Sequence, residues 1–180
     1  DAQHYFSTNC PPPLSPQTYV PDDNFEAYLE ANGMGNGIAN DDSVTTSNIV
    51  GITSLDVSSK AISDLTGIED FASLSSLYCN DNQLTSLDVS NNTALTDLRC
   101  GQNSLTSLDV SQNTALIFLH YGINQLTSLD LSQNTALTVL NGETNQLTTL
   151  DLSQNTALTF LSCSYNSLTN LDVSNNTALT

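Results

Sequence analysis

Five aspartates, Asp88, Asp109, Asp130, Asp151 and Asp172, recur at a constant interval of 21 residues, each between a leucine and a Val-Ser or Leu-Ser pair. Asp56 has the same neighbours in a less regular stretch. Carboxylate oxygens are the ligands that Ca²⁺ prefers, so such a row could hold hard cations. On stacked extended segments the carboxylates would recur every ~4.8 Å, and like charges at that spacing repel. Two arrangements relieve the repulsion. Each aspartate can accept hydrogen bonds within its own turn, as Asx side chains do, or the row can bind Ca²⁺. The first is favoured, and no other cofactor is expected.

Cysteine and histidine offer less. Cys79, Cys100 and Cys163 share one position of the repeat, where an apolar side chain should point inward. Cys100 and Cys163 lie three units apart, roughly 14 Å at the spacing of stacked strands, too far for a bridge. A Cys79–Cys100 disulfide is conceivable, but small buried hydrophobes are the favoured reading. Cys10 stands outside the repeats and is the one thiol expected to be open to a partner. No Cys–His spacing suggests zinc. His4 sits in the N-terminal arm and His120 has no matching nucleophile, so no catalytic residues and no enzymatic activity are expected.

A third set of residues points to binding. Comparison of the units with one another shows variation concentrated in a few positions: Ser76, Tyr78, Asn80; Asp97, Arg99, Gly101; Phe118, His120, Gly122; Val139, Asn141, Glu143; and Phe160, Ser162, Ser164. Phe118, Val139 and Phe160 should align into an exposed apolar ridge, with Tyr78, Arg99 and His120 as the next column. Tyr, Phe and Arg are the residue types that anchor interfaces. The ligand-binding face is therefore assigned to Tyr78, Arg99, Phe118, His120, Val139, Asn141, Glu143, Phe160 and Ser162.

What must position these residues is the repeat itself. Units beginning at Leu77, Leu98, Leu119, Leu140 and Leu161 read close to L-x-C-x-x-N-Q-L-T-S-L-D-V-S-Q-N-T-A-L-T-x. One coil cannot bury its own apolar side, so neighbouring coils must stack and share a core. The leucine template occurs twice per unit, which predicts two short extended segments in each coil; 21 residues leave no room for a crossover helix. The inward columns run Leu84, Leu105, Leu126, Leu147, Leu168; Leu87, Leu108, Leu129, Leu150, Leu171; and Leu95, Leu116, Leu137, Leu158, Leu179. Tyr121 and Gly142 are neighbours in the cysteine column, so the larger side chain should fill space the smaller leaves. Two asparagine columns, beginning at Asn82 and Asn92, are read as structural, because a turn repeated in every coil leaves backbone groups to satisfy.

The N-terminal third differs. Residues 1–21, with Pro11, Pro12, Pro13, Pro16 and Pro21, are expected to be irregular. Residues 22–50 are expected to cap the solenoid, with a helix at 22–32. Asp22 or Asp23 serves as its N-cap, with Glu26 completing the cap; Phe25, Tyr28 and Leu29 share one face; Asn32 and Gly33 stop it. Residues 51–180 form the solenoid, starting with a divergent coil whose inward set includes Ile52, Leu55, Val57, Ile62, Leu65, Ile68, Phe71 and Leu74.

Charge excludes two partner classes. The 180 residues carry 19 Asp and Glu against Lys60 and Arg99, a formal net charge of −17. Nucleic-acid binding needs a basic footprint, and an anionic membrane surface also selects Lys and Arg. No stretch approaches the ~20 apolar residues that span a bilayer.

The pair L-x-x-L-x-C-x-x-N-x-L and L-x-x-L-D-V-S-x-N-x-x-L resembles the leucine-rich repeat family, in the short nested form of bacterial surface proteins of Bacteroidota type. Ile62-Ser-Asp-Leu-Thr-Gly-Ile-Glu-Asp-Phe71 is similar to the first repeats of internalin-type proteins. The resemblance covers about residues 20–180. It implies a leucine-rich repeat solenoid of short parallel β-strands in 21-residue coils with an N-terminal helical cap. It also implies a secreted or cell-surface bacterial protein that binds a protein ligand in adhesion, and it supplies no catalytic residues. The alternatives are a glycan-binding accessory domain and a self-assembling surface component. Thr180 falls in mid-coil, so truncation at the C-terminus, with self-association through that edge, is a further expectation.

Overall fold

The structure, a computed structural model, describes residues 15–180. His4, Cys10 and the first three prolines lie outside the described residues.

Leucine spacing builds the solenoid directly. Leu84, Leu95, Leu98 and Leu105 have no exposed surface, and the same columns stay buried up to the last coil, where Leu161, Leu168 and Leu179 are partly buried. Each fully buried leucine contributes about 1.5–3 kcal/mol, against about 0.5–1.5 kcal/mol net for a hydrogen bond. Stacking of leucines therefore drives the architecture, and hydrogen bonds fix its geometry. Six strands form one parallel sheet in sequence order: β3 (Ser54–Asp56), β4 (Ser76–Tyr78), β5 (Asp97–Arg99), β6 (Phe118–His120), β7 (Val139–Asn141) and β8 (Phe160–Ser162). Leu55, Leu77, Leu98, Leu119, Leu140 and Leu161 are direct partners at their centres. This is a leucine-rich repeat solenoid with 21-residue coils.

One expectation is corrected. Each coil carries one strand rather than two; the Leu-Asp-Val/Leu-Ser segments make only a single isolated bridge, Asp88 to Asp109. In each such segment the aspartate accepts the backbone N–H of the serine two residues on, at 2.9 Å for Asp88, Asp109, Asp130, Asp151 and Asp172, and an Asx turn closes the segment. Asp56 makes the same bond to Ser58 at the end of strand β3, so the turn limits the length of the segment and does not by itself bar pairing. The leucines of these segments are correspondingly less enclosed: Leu108 and Leu150 are buried, whereas Leu87, Leu129 and Leu171 only pack against the core.

The two asparagine columns stitch the coils together. Asn103, Asn124 and Asn145 each accept the N–H of Leu84, Leu105 and Leu126 in the coil before. Their amides donate to carbonyls of their own and the preceding coil. In the second column Asn113 donates to Val89 and Asn92, Asn134 to Val110 and Asn113, and Asn155 to Leu131 and Asn134, at 2.9–3.0 Å. In the cysteine column Cys79 and Cys100 are buried, Cys163 is partly buried, and all three thiols are free. Tyr121 fills the place beside Gly142, where an added Cβ would fall on its ring.

At the N-terminal end, residues 17–19 form a strand, β1 (Gln17–Tyr19), antiparallel to β2 (Ser43–Thr45). An irregular path was expected there. Pro16 does not prevent pairing, because its carbonyl accepts from Thr46 and no donor is asked of it. Helix α1 spans Asp23–Ala31, followed by a short α2 (Thr46–Ile49). Asp22 is the N-cap and accepts from Asn24 and Phe25. Glu26 does not close a capping box; its carboxylate accepts the N–H groups of Asp41 and Asp42. The helix ends in a Schellman arrangement, with Met34 N–H to Leu29 and Gly33 N–H to Glu30, and Gly33 at φ 73°. Asp22 also accepts from Ser63 and Asp64, tying the helix to the first coil. Burial raises its carboxyl, but these bonds and that from Phe25 hold it below the ordinary carboxylate value.

Candidate functional site

The outward side chains of β4–β8 form two columns in register. Ser76, Asp97, Phe118, Val139 and Phe160 make one; Tyr78, Arg99, His120, Asn141 and Ser162 make the other. The residues that vary between coils therefore lie together on one sheet face. What they do there differs from an exposed apolar ridge. Phe160 is 48% exposed, but Phe118 and Val139 are half-buried.

Arg99 covers Phe118. Its guanidinium lies 4.4 Å from the Phe118 ring and 4.7 Å from the Tyr78 ring, between the two. Nε and Nη2 donate to the two carboxylate oxygens of Asp97 at 3.0 and 2.9 Å, and the Tyr78 hydroxyl donates to the same carboxylate at 3.2 Å. Hydrogen bonding to Asp97 raises the Arg99 pKa further. The half-exposed ion pair alone is worth less than about 1 kcal/mol; the stacking adds about 0.5–1 kcal/mol per ring. One end of the face is thus closed and electrically neutral.

The middle is built on two glycines. An added Cβ at Gly101 would lie 2.7 Å from the His120 ring, and one at Gly122 would lie 3.1 Å from the Glu143 side chain. His120 and Glu143 therefore rest against bare backbone. Burial lowers the His120 pKa; Glu143 pulls the other way and Arg99 adds to the lowering. Ser162 donates to Glu143 at 3.5 Å, while no hydrogen bond joins His120 to either among the described residues. No nucleophile–base pair is present there.

A row that the sequence did not single out flanks this face. The residue two positions before each asparagine of the first column is followed by one in the left-handed region: Asp81, Gln102, Ile123, Thr144 and Tyr165 all have φ of 54–57°. For an L-residue this conformation costs roughly 1–2 kcal/mol, and for β-branched Ile and Thr it is a true outlier. Ile123 is 42% and Tyr165 82% exposed. Ile117, another exposed apolar residue, stands where Thr96, Thr138 and Thr159 donate their hydroxyls to the preceding coil. The signal was available as variability, since this column changes in every coil.

The remaining candidates are polar. The aspartate row lines shallow clefts on another side of the coils, such as that bounded by Ser107, Leu108, Asp109, Ser128, Leu129 and Asp130. Hydrogen bonds from the backbone and hydroxyl of the following serine lower the pKa values of Asp109, Asp130, Asp151 and Asp172, and those of Ser90 do so for Asp88. In the cap, carboxylate oxygens of Asp23, Glu26 and Asp42 lie within 4.8 Å of one another. Glu26 spends its own on the backbone of residues 41 and 42.

No family model matches the chain. Internalin J of Listeria monocytogenes serotype 4b is 43% identical over 75 residues, which is 42% of this chain and 8% of that protein. Among solved structures, an internalin, InlF, from the same species is similar over 89% of this chain and 48% of its own, with 27% identity and a TM-score of 0.80. The fold is shared with internalins. The functional domain of InlJ, described as including a cysteine ladder, is 31% identical over 92% of this chain and 51% of that one, with a TM-score of 0.52. A leucine-rich repeat protein of Leptospira interrogans shares the fold at 22% identity, with a TM-score of 0.68. The chain spans about half the length of these InlF and InlJ structures and a small part of Internalin J. Its own cysteine column, Cys79, Cys100 and Cys163, is interrupted by Tyr121 and Gly142. Among the described residues no helix is long and apolar enough to cross a membrane.

Proposed function

We propose that this chain is a non-catalytic recognition module of a secreted or cell-surface bacterial protein, and that it binds a protein ligand in adhesion through the outward face of β4–β8. The observation that carries this reading is the contrast within each coil. Inward leucines and both asparagine columns repeat almost without change, while Tyr78, Arg99, Phe118, His120, Val139, Asn141, Glu143, Phe160 and Ser162 differ and share one sheet face. Similarity to internalins supports the same class of role.

A protein ligand is preferred over a glycan for a specific reason. Sugar stacking needs an open aromatic face, and Arg99 lies over both Tyr78 and Phe118. Phe160 presents an exposed aromatic ring on this face, with Tyr165 in the row that flanks it. The test is a parallel screen of the purified chain and its Phe160→Ala variant against bacterial and host surface proteins and a glycan array. A protein hit lost in the variant supports the reading. A glycan hit in its place, or a protein hit unaffected by Phe160→Ala and by Arg99→Ala, removes it.

A further inference from the structure

A groove runs along the aspartate side of the solenoid, from one coil to the next. Its first cleft, of about 330 Å³, lies between Asp64, Glu69 and Asp88 over Leu65, Ile68 and Leu87. Clefts of about 380 and 360 Å³ follow. The three are joined. Ser86, Leu87 and Asp88 line both the first and the second, and Ser107 and Asp109 line both the second and the third, which ends at Asp130. Each meets the lower bound of about 300 Å³ for ligand sites, and shared walls make them one channel.

The floor of the groove is apolar and incompletely covered: Leu65 and Ile68 are buried, but Leu87 and Leu129 only partly so. Its walls are anionic at every step. Turn bonds draw on Oδ1 of Asp64, Asp88, Asp109 and Asp130 and on Oε2 of Glu69. A carboxylate offers about four acceptor sites, so each can accept more. Serine bonds lower the Asp130 pKa, yet Asp109 and Asp151 oppose its ionisation. The only Lys and Arg of the sequence are engaged elsewhere, Arg99 with Asp97 and Lys60 beside the Tyr28 ring. A calcium ion needs about six to eight oxygens converging on one point, whereas the groove spreads its carboxylates along a line. Carboxylates above an apolar floor match the amphipathic form of lysine and arginine, an apolar stem carrying a charged head. The strand face differs at each coil and suits one particular surface; the groove repeats and suits a ligand whose own charges repeat.

We propose that the groove walled by Asp64, Glu69, Asp88, Asp109 and Asp130 docks an extended basic segment of a protein partner, with Lys or Arg stems over Leu87 and Leu129 and their heads at the carboxylates. It is a second surface, separate from the strand face. Three coil steps of ~4.8 Å span about 14 Å, the length of roughly four or five extended residues at ~3.3 Å each. The formal charge of −17 favours such a visitor at long range.

The probe is the acetylated and amidated peptide Lys-Ser-Lys-Ser-Lys, titrated calorimetrically into the full chain at low salt. It should bind, and the triple variant Asp88→Asn/Asp109→Asn/Asp130→Asn should weaken it at least tenfold with Tm unchanged or higher. Asp23→Asn/Asp42→Asn/Glu143→Gln makes the same change in net charge away from the groove and should alter affinity less than twofold. Replacing each lysine with 2,4-diaminobutyrate keeps the amine and shortens the stem; it should cost at least fivefold. No binding, or equal losses in the two triple variants, would overturn the proposal. So would full affinity of the short-stemmed peptide, which charge alone explains. Arg99→Ala and Phe160→Ala should leave peptide binding unchanged. If they abolish it while the groove variant keeps it, the basic segment belongs to the strand face and only the groove fails. The strand-face reading fails separately, when its own protein ligand ignores those two substitutions.

Discussion

Two sides of the same coils treat polarity in opposite ways. On the aspartate side the carboxylates are satisfied within each coil: Asp88, Asp109, Asp130, Asp151 and Asp172 accept from a serine two residues away, and only the backbone bridge from Asp88 to Asp109 crosses between coils there. On the strand side satisfaction crosses coils. Arg99 leans over Phe118 and Tyr78, and Ser162 reaches Glu143. A self-contained solution can be copied indefinitely, so that side repeats. A solution that depends on neighbours can differ at every step, so the other side varies. Identity between repeats thus marks a bond that every coil can make in the same way, within itself at the aspartates or to the coil before at the asparagines, and variation marks contacts particular to one pair of coils or an outside partner.

Substitutions can break this contrast. The largest effect should come from the cross-coil asparagines. Asn134→Ala strips the buried carbonyls of Val110 and Asn113 of a donor and should destabilise by about 2–4 kcal/mol in urea unfolding. Gly142→Ala should cost about 1–3 kcal/mol by forcing the Tyr121 ring out of place. Adding Tyr121→Cys should restore most of that loss, a coupling that a double-mutant cycle measures. Arg99→Ala should cost about 1–2 kcal/mol, since it uncovers two rings and unpairs Asp97.

The self-contained side should respond least. Asp130→Asn should leave the urea midpoint almost unchanged, and EDTA should leave Tm unchanged if the serine bonds suffice without Ca²⁺. Because the folded carboxyls titrate below the ordinary Asp value of 3.8, their contribution is present above that value and is lost as pH falls through the lower folded values. His120 gives a separate signal in a higher pH window. Its folded pKa lies below 6.5, so its stabilising effect is complete above pH 6.5 and declines on acidification from there. A His120→Gln variant should lack that first decline and keep the second.

Much of the architecture was legible from leucine spacing, because a buried column must recur in every coil that stacks. The second strand per coil was not. Leu-x-x-Leu-x-Val reads as an extended segment, and an apolar pattern does not tell that these segments pair only at Asp88–Asp109 while the Leu-x-Cys segments pair throughout. Strand β1 hid in a proline-rich arm because proline weakens a strand without barring its carbonyl from pairing. The columns Phe118–Val139–Phe160 and Tyr78–Arg99–His120 were legible as positions, but their exposure was not: Arg99 has the reach to cover a ring in the next coil. The turn column of Ile123 and Tyr165 was missed because left-handed geometry leaves no mark when neither Gly nor Asn occupies it.

The interlock of Tyr121 with Gly142 has a consequence for assembly during folding. Coils this alike can be paired out of step, within one molecule or between two, with almost every leucine still finding a leucine. Tyr121 finds room only against a residue without a side chain, and the repeats offer that once, at Gly142. A slip by one coil would drive the ring into Cys163 or leave a gap beside the glycine. The pair acts as a key in an otherwise symmetrical lock, rejecting misaligned and domain-swapped forms that the leucine pattern alone would accept.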